Sequence, residues 1–267
     1  MLDRLAPALF VLLWSTGWLV AKFAVAHADP LTFMAARHAL AAIAFTLVCI
    51  IVGAKWPRSG RAVAHAMISG VFLHGLYLAG VWWAIGQGVP AGLSGIIAGL
   101  QPLLTAAIAP LMISERLRLQ QKIGILLGFV GILIAISPQL LDTVERGLVG
   151  LGLPVMVNLV AMLSVTCGTL YQKRHLQEGG LLSIAVLQFI GAFIVTVPLA
   201  LAFEDLRFDW TGEAIFAMAW SVFGISMGAV GLLLYLIRRG QVSRAAQFVV
   251  STTAADNLMP PEGALHA

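Results

Sequence analysis

Charged side chains are scarce in this sequence. Asp, Glu, Lys and Arg make up 10% of the 267 residues, and 60% of the residues are hydrophobic, whereas a soluble domain carries about a quarter charged residues. A water-soluble fold could not cover this much apolar surface, so an ordinary soluble protein is excluded. Lipid must therefore surround most of the chain.

Patterns typical of cofactor and metal sites are also missing. The two cysteines, Cys49 and Cys167, lie inside apolar runs and show neither metal-ligand spacing nor a disulfide framework. The sequence has no G-x-x-x-x-G-K-[ST] phosphate-binding motif. Its formal net charge of +4 comes from basic residues spread over short loops, which does not indicate a nucleic-acid surface. We therefore expect no cofactor, no metal, no nucleic-acid partner and no ATP-driven transport by this chain alone.

Long apolar runs are what the sequence has instead. About 20 apolar residues cross the hydrocarbon core of a bilayer as a helix. We identify eight such runs, at residues 6–26, 31–52, 64–85, 91–113, 123–136, 149–171, 181–203 and 214–237. The sequence thus predicts an all-α integral membrane protein with about eight transmembrane helices.

Lys and Arg residues are distributed unevenly between the two sets of loops. One set holds twelve of them: Arg4, Lys55, Arg58, Arg61, Arg116, Arg118, Lys122, Lys173, Arg174, Arg238, Arg239 and Arg244. The other set holds only Arg146 and Arg207. Because loops rich in Lys and Arg stay in the cytoplasm, we expect a cytoplasmic N-terminus. This orientation places Trp82, Trp83 and Trp210 near the outer interface, where aromatic residues are common.

The first run also allows a different interpretation. It ends in Ala24-Val25-Ala26, which resembles the cleavage site of a signal peptide. However, Lys22 interrupts the run and seven further runs follow. We therefore interpret it as a transmembrane helix.

The chain contains a weak internal repeat. A shift of 150 residues aligns Leu9, Leu13 and Thr16 with Leu159, Leu163 and Thr166, and a shift of 154 aligns Gly86-Gln87 with Gly240-Gln241. Because the first unit has five spans, the second enters the membrane in the opposite orientation, as in many secondary transporters. This interpretation divides the chain into residues 1–148, residues 149–246 and a polar tail, residues 247–267. Chance similarity between apolar runs is the alternative, which a cytoplasmic reporter at Arg146 would favour.

Several segments resemble one known superfamily. They are "LLWSTGWLVAKFAVAHADPLTFMAARHALAA" (12–42), "LQPLLTAAIAPLMISERL" (100–117) with "GILLGFVGILIAI" (124–136), and "LLLYLIRRGQVSRAA" (232–246). The chain is similar here to the EamA-type branch of the drug/metabolite transporter superfamily, over about residues 5–246. The resemblance implies two inverted five-helix repeats in the bacterial inner membrane and transport of small metabolites, including amino acids.

The polar tail departs from this pattern. The counterparts of the fourth and fifth spans would lie beyond residue 245, but residues 247–267 are too polar to cross a membrane. We therefore expect an incomplete second repeat of three helices, apparently truncated, followed by a disordered tail. A frameshift just after Gln247 is one hypothesis, and it predicts that the neighbouring reading frame encodes two further apolar segments.

Charge inside the spans is the main functional signal, because charge is costly in lipid. Lys22 lies about four residues, roughly 6 Å, from the outer end of the first span, where an interfacial role by snorkelling is as plausible as a functional one. Arg37 lies about six residues, roughly 10 Å, inside the second span. It needs a water-filled cavity, backbone carbonyls or an anionic ligand. We interpret it as part of the substrate pathway, as the resemblance also implies, with a bridge to backbone carbonyls as the alternative.

Histidines are the candidate proton carriers, because no Asp or Glu lies deep in a span. Proton-coupled carriers usually relay through an intramembrane carboxylate or histidine. His74, near the middle of the third span, and His38, beside Arg37, are therefore candidates for coupling. A packing role is the alternative for His74.

Two further positions are candidates for the pathway. Trp14 and Trp18 are four residues apart and share a helix face, with Thr16 between them. Trp14 lies too deep for the interface, so we expect Trp14 and Thr16 to line a cavity, with plain helix packing as the alternative. In Gln101-Pro102, the proline frees a backbone carbonyl in the middle of the fourth span, which makes Gln101 a candidate substrate contact.

Glycine pairs and one loop residue are predicted to have structural roles. Three G-x-x-x-G pairs predict close helix packing: Gly95 with Gly99, Gly124 with Gly128, and Gly224 with Gly228. Glu115 is expected to pair with Arg116 or Arg118, or to be solvated.

A secondary carrier for a small polar metabolite is the leading interpretation of the function. Arg37 and Lys22 favour a substrate with a carboxylate or another anionic group, and the expected partners are this substrate, the lipid bilayer and a further copy of the chain. A lipid-modifying membrane enzyme is one alternative, although it would need a cluster of His, Asp, Glu or Cys at one membrane face. An inactive fragment or an assembly subunit is the other.

Overall fold

The protein is an all-α membrane protein. The computed structural model describes residues 2–113, 119–145, 152–176, 179–229 and 232. Within these residues the only extended pairing is an isolated β-bridge between Ala28 and Phe208. Six helical stretches there are long and apolar enough to cross a membrane: Pro30–Val52, Gly60–Gly86, Ala91–Met112, Gly152–His175, Leu181–Phe203 and Gly212–Ala229.

The helices follow one another with short connections. Their bounds are α1 Leu2–His27, α2 Pro30–Val52, α3 Gly60–Gly70, α4 Tyr77–Gly86, α5 Ala91–Ala98, α6 Leu100–Ile113, α7 Leu119–Glu145, α8 Gly152–His175, α9 Leu181–Phe203 and α10 Gly212–Ala219. A first π segment, Val71–Leu76, joins α3 to α4, and a second π segment, Trp220–Ala229, continues α10.

The predicted spans agree with these helices, with informative differences. The second and seventh predicted spans coincide with α2 and α9 to within a residue. The third span is interrupted by the first π segment, and the fourth is broken at Gly99 between α5 and α6. The fifth is longer than predicted, since α7 has 27 residues. The polar tail and Glu115 lie outside the described residues.

Short local signals begin and end the helices. The Ser59 hydroxyl accepts a hydrogen bond from the Ala62 N–H (3.1 Å) and so caps α3. The Thr211 hydroxyl caps α10 in the same way through the Ala214 N–H (3.2 Å). These bonds satisfy donors that have no partner inside the helix. Gly53 ends α2 with a φ of 61°, a conformation that glycine adopts without strain.

The two membrane faces differ in charge. One face carries the loop after α2 and the end of α8, with Lys55, Arg58, Arg61, Lys173 and Arg174; we call it the basic face. The opposite face carries the loop between α1 and α2 and the loop between α9 and α10, with Asp29, Glu204, Asp205, Asp209 and Glu213. We call it the acidic face.

Helix α9 packs closely against both α2 and α3. A Cβ atom on Gly70 would overlap the backbone of Gln188, and one on Gly191 would overlap the backbone of Met67. Glycine is therefore required where α3 and α9 touch. In the predicted G-x-x-x-G pairs the packing is uneven, because a Cβ on Gly128 would overlap the Leu103 side chain, whereas one on Gly95 or on Gly124 would meet nothing within 4 Å.

Loops from different parts of the chain are joined at each face. At the acidic face the Asp29 N–H donates to the Arg207 carbonyl (3.0 Å). At the basic face the Gly180 N–H donates to the Lys55 carbonyl (2.8 Å). The two bonds are built alike. Asp29 directly precedes α2 and Gly180 directly precedes α9, and the two acceptors, Lys55 and Arg207, are 152 residues apart.

Carboxylates reinforce the acidic-face connection. The Glu204 carboxylate accepts hydrogen bonds from the N–H groups of Leu31 and Thr32 (both 2.7 Å) and from the Thr32 hydroxyl (2.9 Å). The Asp29 carboxylate accepts from the Arg207 N–H (2.8 Å). We call this set of contacts the acidic-face latch, because it holds the start of α2 to the loop after α9.

The predicted interfacial tryptophans do not behave alike. Trp210 is 80% exposed, as expected at an interface. Trp82 is only 3% exposed and stacks on Phe33, with ring centroids 5.2 Å apart. Trp82 thus packs inside the protein, because α4 turns this residue towards α2, a direction that hydropathy does not reveal.

Candidate functional site

Arg37 is buried in the middle of the helix assembly. It is 5% exposed, and its Nε and Nη2 atoms donate to the Ser226 hydroxyl in the second π segment at 3.3 and 3.2 Å. Ser226 is 2% exposed. The ion pairs between described residues are His27–Glu213 and Arg207–Asp29, so neither supplies a counter-charge to Arg37. The guanidinium is thus hydrogen-bonded by a neutral group.

His38 lies beside Arg37 and is fully buried. The Thr196 hydroxyl donates to the Ala192 carbonyl (2.7 Å). It must therefore accept from His38 Nδ1, which lies 3.3 Å away. This network assigns the proton of a neutral imidazole to Nδ1. His38 Nε2 then is an acceptor, and it has no hydrogen-bond partner among the described residues.

The Phe189 ring of α9 contacts the rings of both His74 and His38. The His74 ring stacks on it, with centroids 4.7 Å apart and an interplanar angle of 16°. His38 lies against the same ring at 6.2 Å. Arg37 is close enough to interact electrostatically with His38, His74 and Tyr77.

These contacts define one site, which we call the central polar cluster. It consists of Arg37, His38, His74, Tyr77, Thr196 and Ser226 around the Phe189 ring. Its residues come from α2, α4, α9 and both π segments. Wide π turns occur frequently at functional sites, and here two of them supply polar side chains to one place.

The cluster follows the spacing of the predicted repeat. Arg37 and Phe189 are 152 residues apart, and so are His74 and Ser226. The Arg37–Ser226 contact and the Phe189–His74 contact therefore occupy equivalent places in the two predicted units. Only one of the two places carries a permanent charge.

The other predicted site residues lie elsewhere. The Thr16 hydroxyl accepts from Trp220 Nε1 (2.9 Å) and joins α1 to the second π segment. Lys22 is exposed on α1, whereas Arg37 is buried. Gln101 is the second residue of α6, just after the break at Gly99, and is half-buried. Trp14 belongs to α1, but its side chain lies outside the described residues.

Neutral polar residues inside the spans were overlooked by the sequence analysis. Ser226, Tyr77 and Thr196 belong to the central polar cluster. Asn158 is fully buried in α8 and donates to the Ser94 hydroxyl (2.6 Å). The available signal was an amide or hydroxyl within an apolar run, since such groups in lipid usually face the protein interior.

The cluster can hold an anion but offers little for metal chemistry. In the described ranges no group of three or more His, Cys, Asp and Glu is placed to bind a metal ion. An arginine, a tyrosine hydroxyl and a serine hydroxyl instead provide donors that suit a carboxylate.

Comparison with known proteins finds one matching family model and several relatives. The model of the EamA-like transporter family matches residues 5–137. A "Probable amino-acid metabolite efflux pump" of Salmonella typhimurium and a protein of the same name from Escherichia coli are each 26% identical over 239 residues, covering 88% of this chain and 72% of theirs. The "Uncharacterized transporter YvbV" of Bacillus subtilis is 23% identical and covers 90% of this chain and 77% of its own.

A solved structure shows the same fold. It superposes with a TM-score of 0.57 over 96% of both chains, at 16% sequence identity. At this identity the similarity concerns the helical architecture alone.

Proposed function

Because the chain belongs to the EamA-like transporter family, within the drug/metabolite transporter superfamily, we propose that it is a secondary transporter of small polar metabolites such as amino acids. Arg37 binds the anionic group of the substrate. The relatives named as amino-acid metabolite efflux pumps support this substrate class, and export across the bacterial inner membrane is the proposed direction. The basic face is the cytoplasmic one, as its Lys and Arg residues indicate.

The neutral partner of Arg37 is the observation that carries the proposal. A buried charge is costly unless another charge compensates it. Ser226 offers one hydroxyl and no charge. A substrate carboxylate would compensate the guanidinium through two parallel N–H···O bonds, and Ser226 could then donate its own proton to the substrate.

The proposed transport cycle alternates between the two faces. In the present structure Arg37 is hidden from both faces and the acidic-face latch is made. Substrate from the cytoplasm reaches the central polar cluster between the predicted halves, as in other inverted-repeat carriers. Release then requires the latch to open, since it ties α2 to the loop after α9.

Transport in reconstituted liposomes tests the role of Arg37. We expect Arg37→Gln to lower the flux of an amino acid about tenfold or more, since a hydrogen bond to a charged group contributes about 1.5–3 kcal/mol. The flux of the corresponding amino-acid amide, which has no carboxylate, should change much less. Radiolabelled amino acids and their amides measure both.

Arg58→Gln is the matched control, because Arg58 is an exposed arginine of the basic face. It removes the same charge and should leave both fluxes unchanged. Equal amino-acid flux in wild type and Arg37→Gln would contradict the proposal.

A further inference from the structure

A cavity of about 290 Å³ opens on the basic face, away from the central polar cluster. It lies between the start of α3 and the end of α8, and it is lined by Ser59, Arg61, Ala62, His65, Arg174, His175 and Leu176. Basic side chains thus stand on both walls. Arg61 and His65 belong to α3, and Arg174 and His175 belong to α8.

The cavity walls are ordered by aromatic and polar contacts. The His65 and His175 rings stack with centroids 4.7 Å apart. His65 Nδ1 is 2.6 Å from the Tyr171 hydroxyl, and Arg174 Nη1 donates to the Met112 carbonyl (2.9 Å). These contacts hold His65, Arg174 and His175 beside Arg61 at one cavity, although repulsion between like charges acts against it.

At the acidic face two helix ends are arranged in the same way, and there the charges are complementary. They are the end of α1 and the start of α10, and α1 ends in His27 as α8 ends in His175. Glu213 occupies the place of Arg61, since the two are 152 residues apart, as are the capping residues Thr211 and Ser59. His27 Nε2 and Glu213 Oε2 are 2.8 Å apart and connect the two helix ends.

We propose that the basic-face cavity binds a phosphate group, which supplies the negative charge that Glu213 supplies on the acidic face. Two arginines present several N–H donors, and arginine suits phosphate oxygens. The ion pairs between described residues leave these arginines without a carboxylate. This site is separate from the proposed substrate pathway and does not depend on it.

The phosphate has two conceivable sources. The cavity lies at helix ends, at the level of the lipid headgroups, and basic pockets between transmembrane helices bind anionic phospholipids. A soluble phosphate or phosphate ester has the same chemistry. Both sources use the same four basic residues.

Thermal unfolding of the purified full chain in defined bilayers tests the site. The bilayers contain phosphatidylcholine alone, phosphatidylcholine with phosphatidylglycerol, or phosphatidylcholine with inorganic phosphate in the buffer at constant ionic strength. A ligand that binds the folded state raises the apparent midpoint, and we expect a rise of about 3 °C or more. A rise with phosphatidylglycerol alone identifies a lipid headgroup, and a rise with inorganic phosphate identifies a soluble ligand.

Variants separate this site from general charge attraction. We expect the double variant Arg61→Gln/Arg174→Gln to lose the rise and Arg58→Gln, on the same face but outside the cavity, to keep it. Arg61→Glu places a carboxylate at the position equivalent to Glu213 of the acidic face, so it should also lose the rise while unfolding no earlier than wild type without phosphate. If the double variant does not fold, Arg61→Glu alone tests the site. No rise in wild type, or an equal rise in the cavity variants, overturns the proposal.

Discussion

Arg37 is a permanent charge that the described residues around it do not neutralise. Its described hydrogen bonds both end on one hydroxyl, that of Ser226. A second acceptor close by, His38 Nε2, lacks a partner among the described residues. Buried groups of this kind are costly in a protein interior. The cluster is therefore better suited to receive a polar ligand than to stabilise the fold.

Removing the Ser226 hydroxyl should expose this cost. We expect Ser226→Ala to destabilise the protein by about 1.5–3 kcal/mol, since it leaves the buried guanidinium without its described acceptor. The apparent unfolding midpoint in detergent should fall by about 3–12 °C. Ser226→Thr keeps the hydroxyl and should retain most of the stability.

The double variant Arg37→Met/Ser226→Ala provides the control. It removes the charge together with its acceptor, so its midpoint should recover towards that of wild type, while amino-acid flux stays low. A midpoint in Ser226→Ala equal to that of wild type would show that Arg37 has another sufficient partner.

His74 lies against Phe189 as a packing partner. We expect His74→Gln to keep whatever dependence on a pH gradient the wild-type flux shows, because the flat stack on Phe189 is a packing contact. Gln cannot titrate, so the substitution would remove the dependence only if His74 carried the coupled proton. Loss of the stack should lower the unfolding midpoint by a few degrees, since aromatic pairs contribute about 0.5–1.5 kcal/mol. Flux at several pH gradients measures the first effect. A flux that no longer responds to the gradient would make His74 the coupling residue.

Residue-level prediction depended on charge as its signal. Arg37 was recognisable because arginine is rare inside an apolar span. Ser226 was not, because serine is common in membrane helices and its importance comes from a partner 189 residues away. Lys22 shows the converse limit, since hydropathy placed it in a span but could not tell an exposed helix face from a buried one.

Helix packing in this protein depends on a few close approaches. The backbones of α3 and α9 meet at Gly70 and at Gly191. Near this contact, Gln188 Nε2 donates to the Ser69 hydroxyl and to Gln172 Oε1, both at 3.0 Å. These bonds connect α9 with α3 and α8. The element that carries Phe189 is therefore held firmly on the basic-face side of the cluster.

A single methyl group at this contact should be severe. We expect Gly70→Ala to lower the unfolding midpoint by well over 5 °C or to prevent folding, because the added Cβ would overlap the Gln188 backbone and the helices must separate. Gly124→Ala is the matched control, since a Cβ there meets nothing within 4 Å. Fluorescence-detected size-exclusion chromatography after heating compares the two. Similar midpoints would mean that α3 and α9 can move apart at little cost.

The helices themselves were largely predictable, and their irregularities were not. Uniform apolar runs gave α2 and α9 to within a residue. The first π segment lies in the middle of an equally apolar run, and nothing in residues 71–76 distinguishes a π turn from an α turn. The break at Gly99 was not predicted either, because Pro102 was the residue expected to disturb this span, whereas the structure interrupts the helix at the glycine before it.

At the scale of the whole molecule, the described residues join the loops of the acidic face by more hydrogen bonds than those of the basic face. The two faces share one backbone bond of the same kind, from Asp29 to Arg207 and from Gly180 to Lys55. The acidic face adds the Glu204 carboxylate with three hydrogen bonds. At the basic face the comparable addition is the Ser183 hydroxyl on the Lys55 carbonyl (2.7 Å). Opening towards the acidic face should therefore be the costlier movement.

Weakening the latch should make the interior accessible from the acidic face. Ala84→Cys, at a fully buried position of α4, reports on this in a background of Cys49→Ala and Cys167→Ala. We expect Glu204→Gln to speed its reaction with a membrane-impermeant thiol reagent about tenfold, since hydrogen bonds to a charged group are lost. Asp205→Asn, at the exposed neighbouring residue, should leave the rate unchanged. Equal rates in both variants would mean that Glu204 does not hold this face closed.

The same carboxylate has a consequence for biosynthesis. The first N–H groups of α2, at Leu31 and Thr32, are bonded by a residue that leaves the ribosome 173 residues after Leu31. At about 5–20 residues per second this interval is roughly 10–35 s. Until then the first N–H groups of α2 must bond to water or lipid headgroups, so the first predicted unit is inserted before one of its own helices is capped. Assembly of the acidic face is thus a late event that couples completion of α2 to synthesis of the loop after α9.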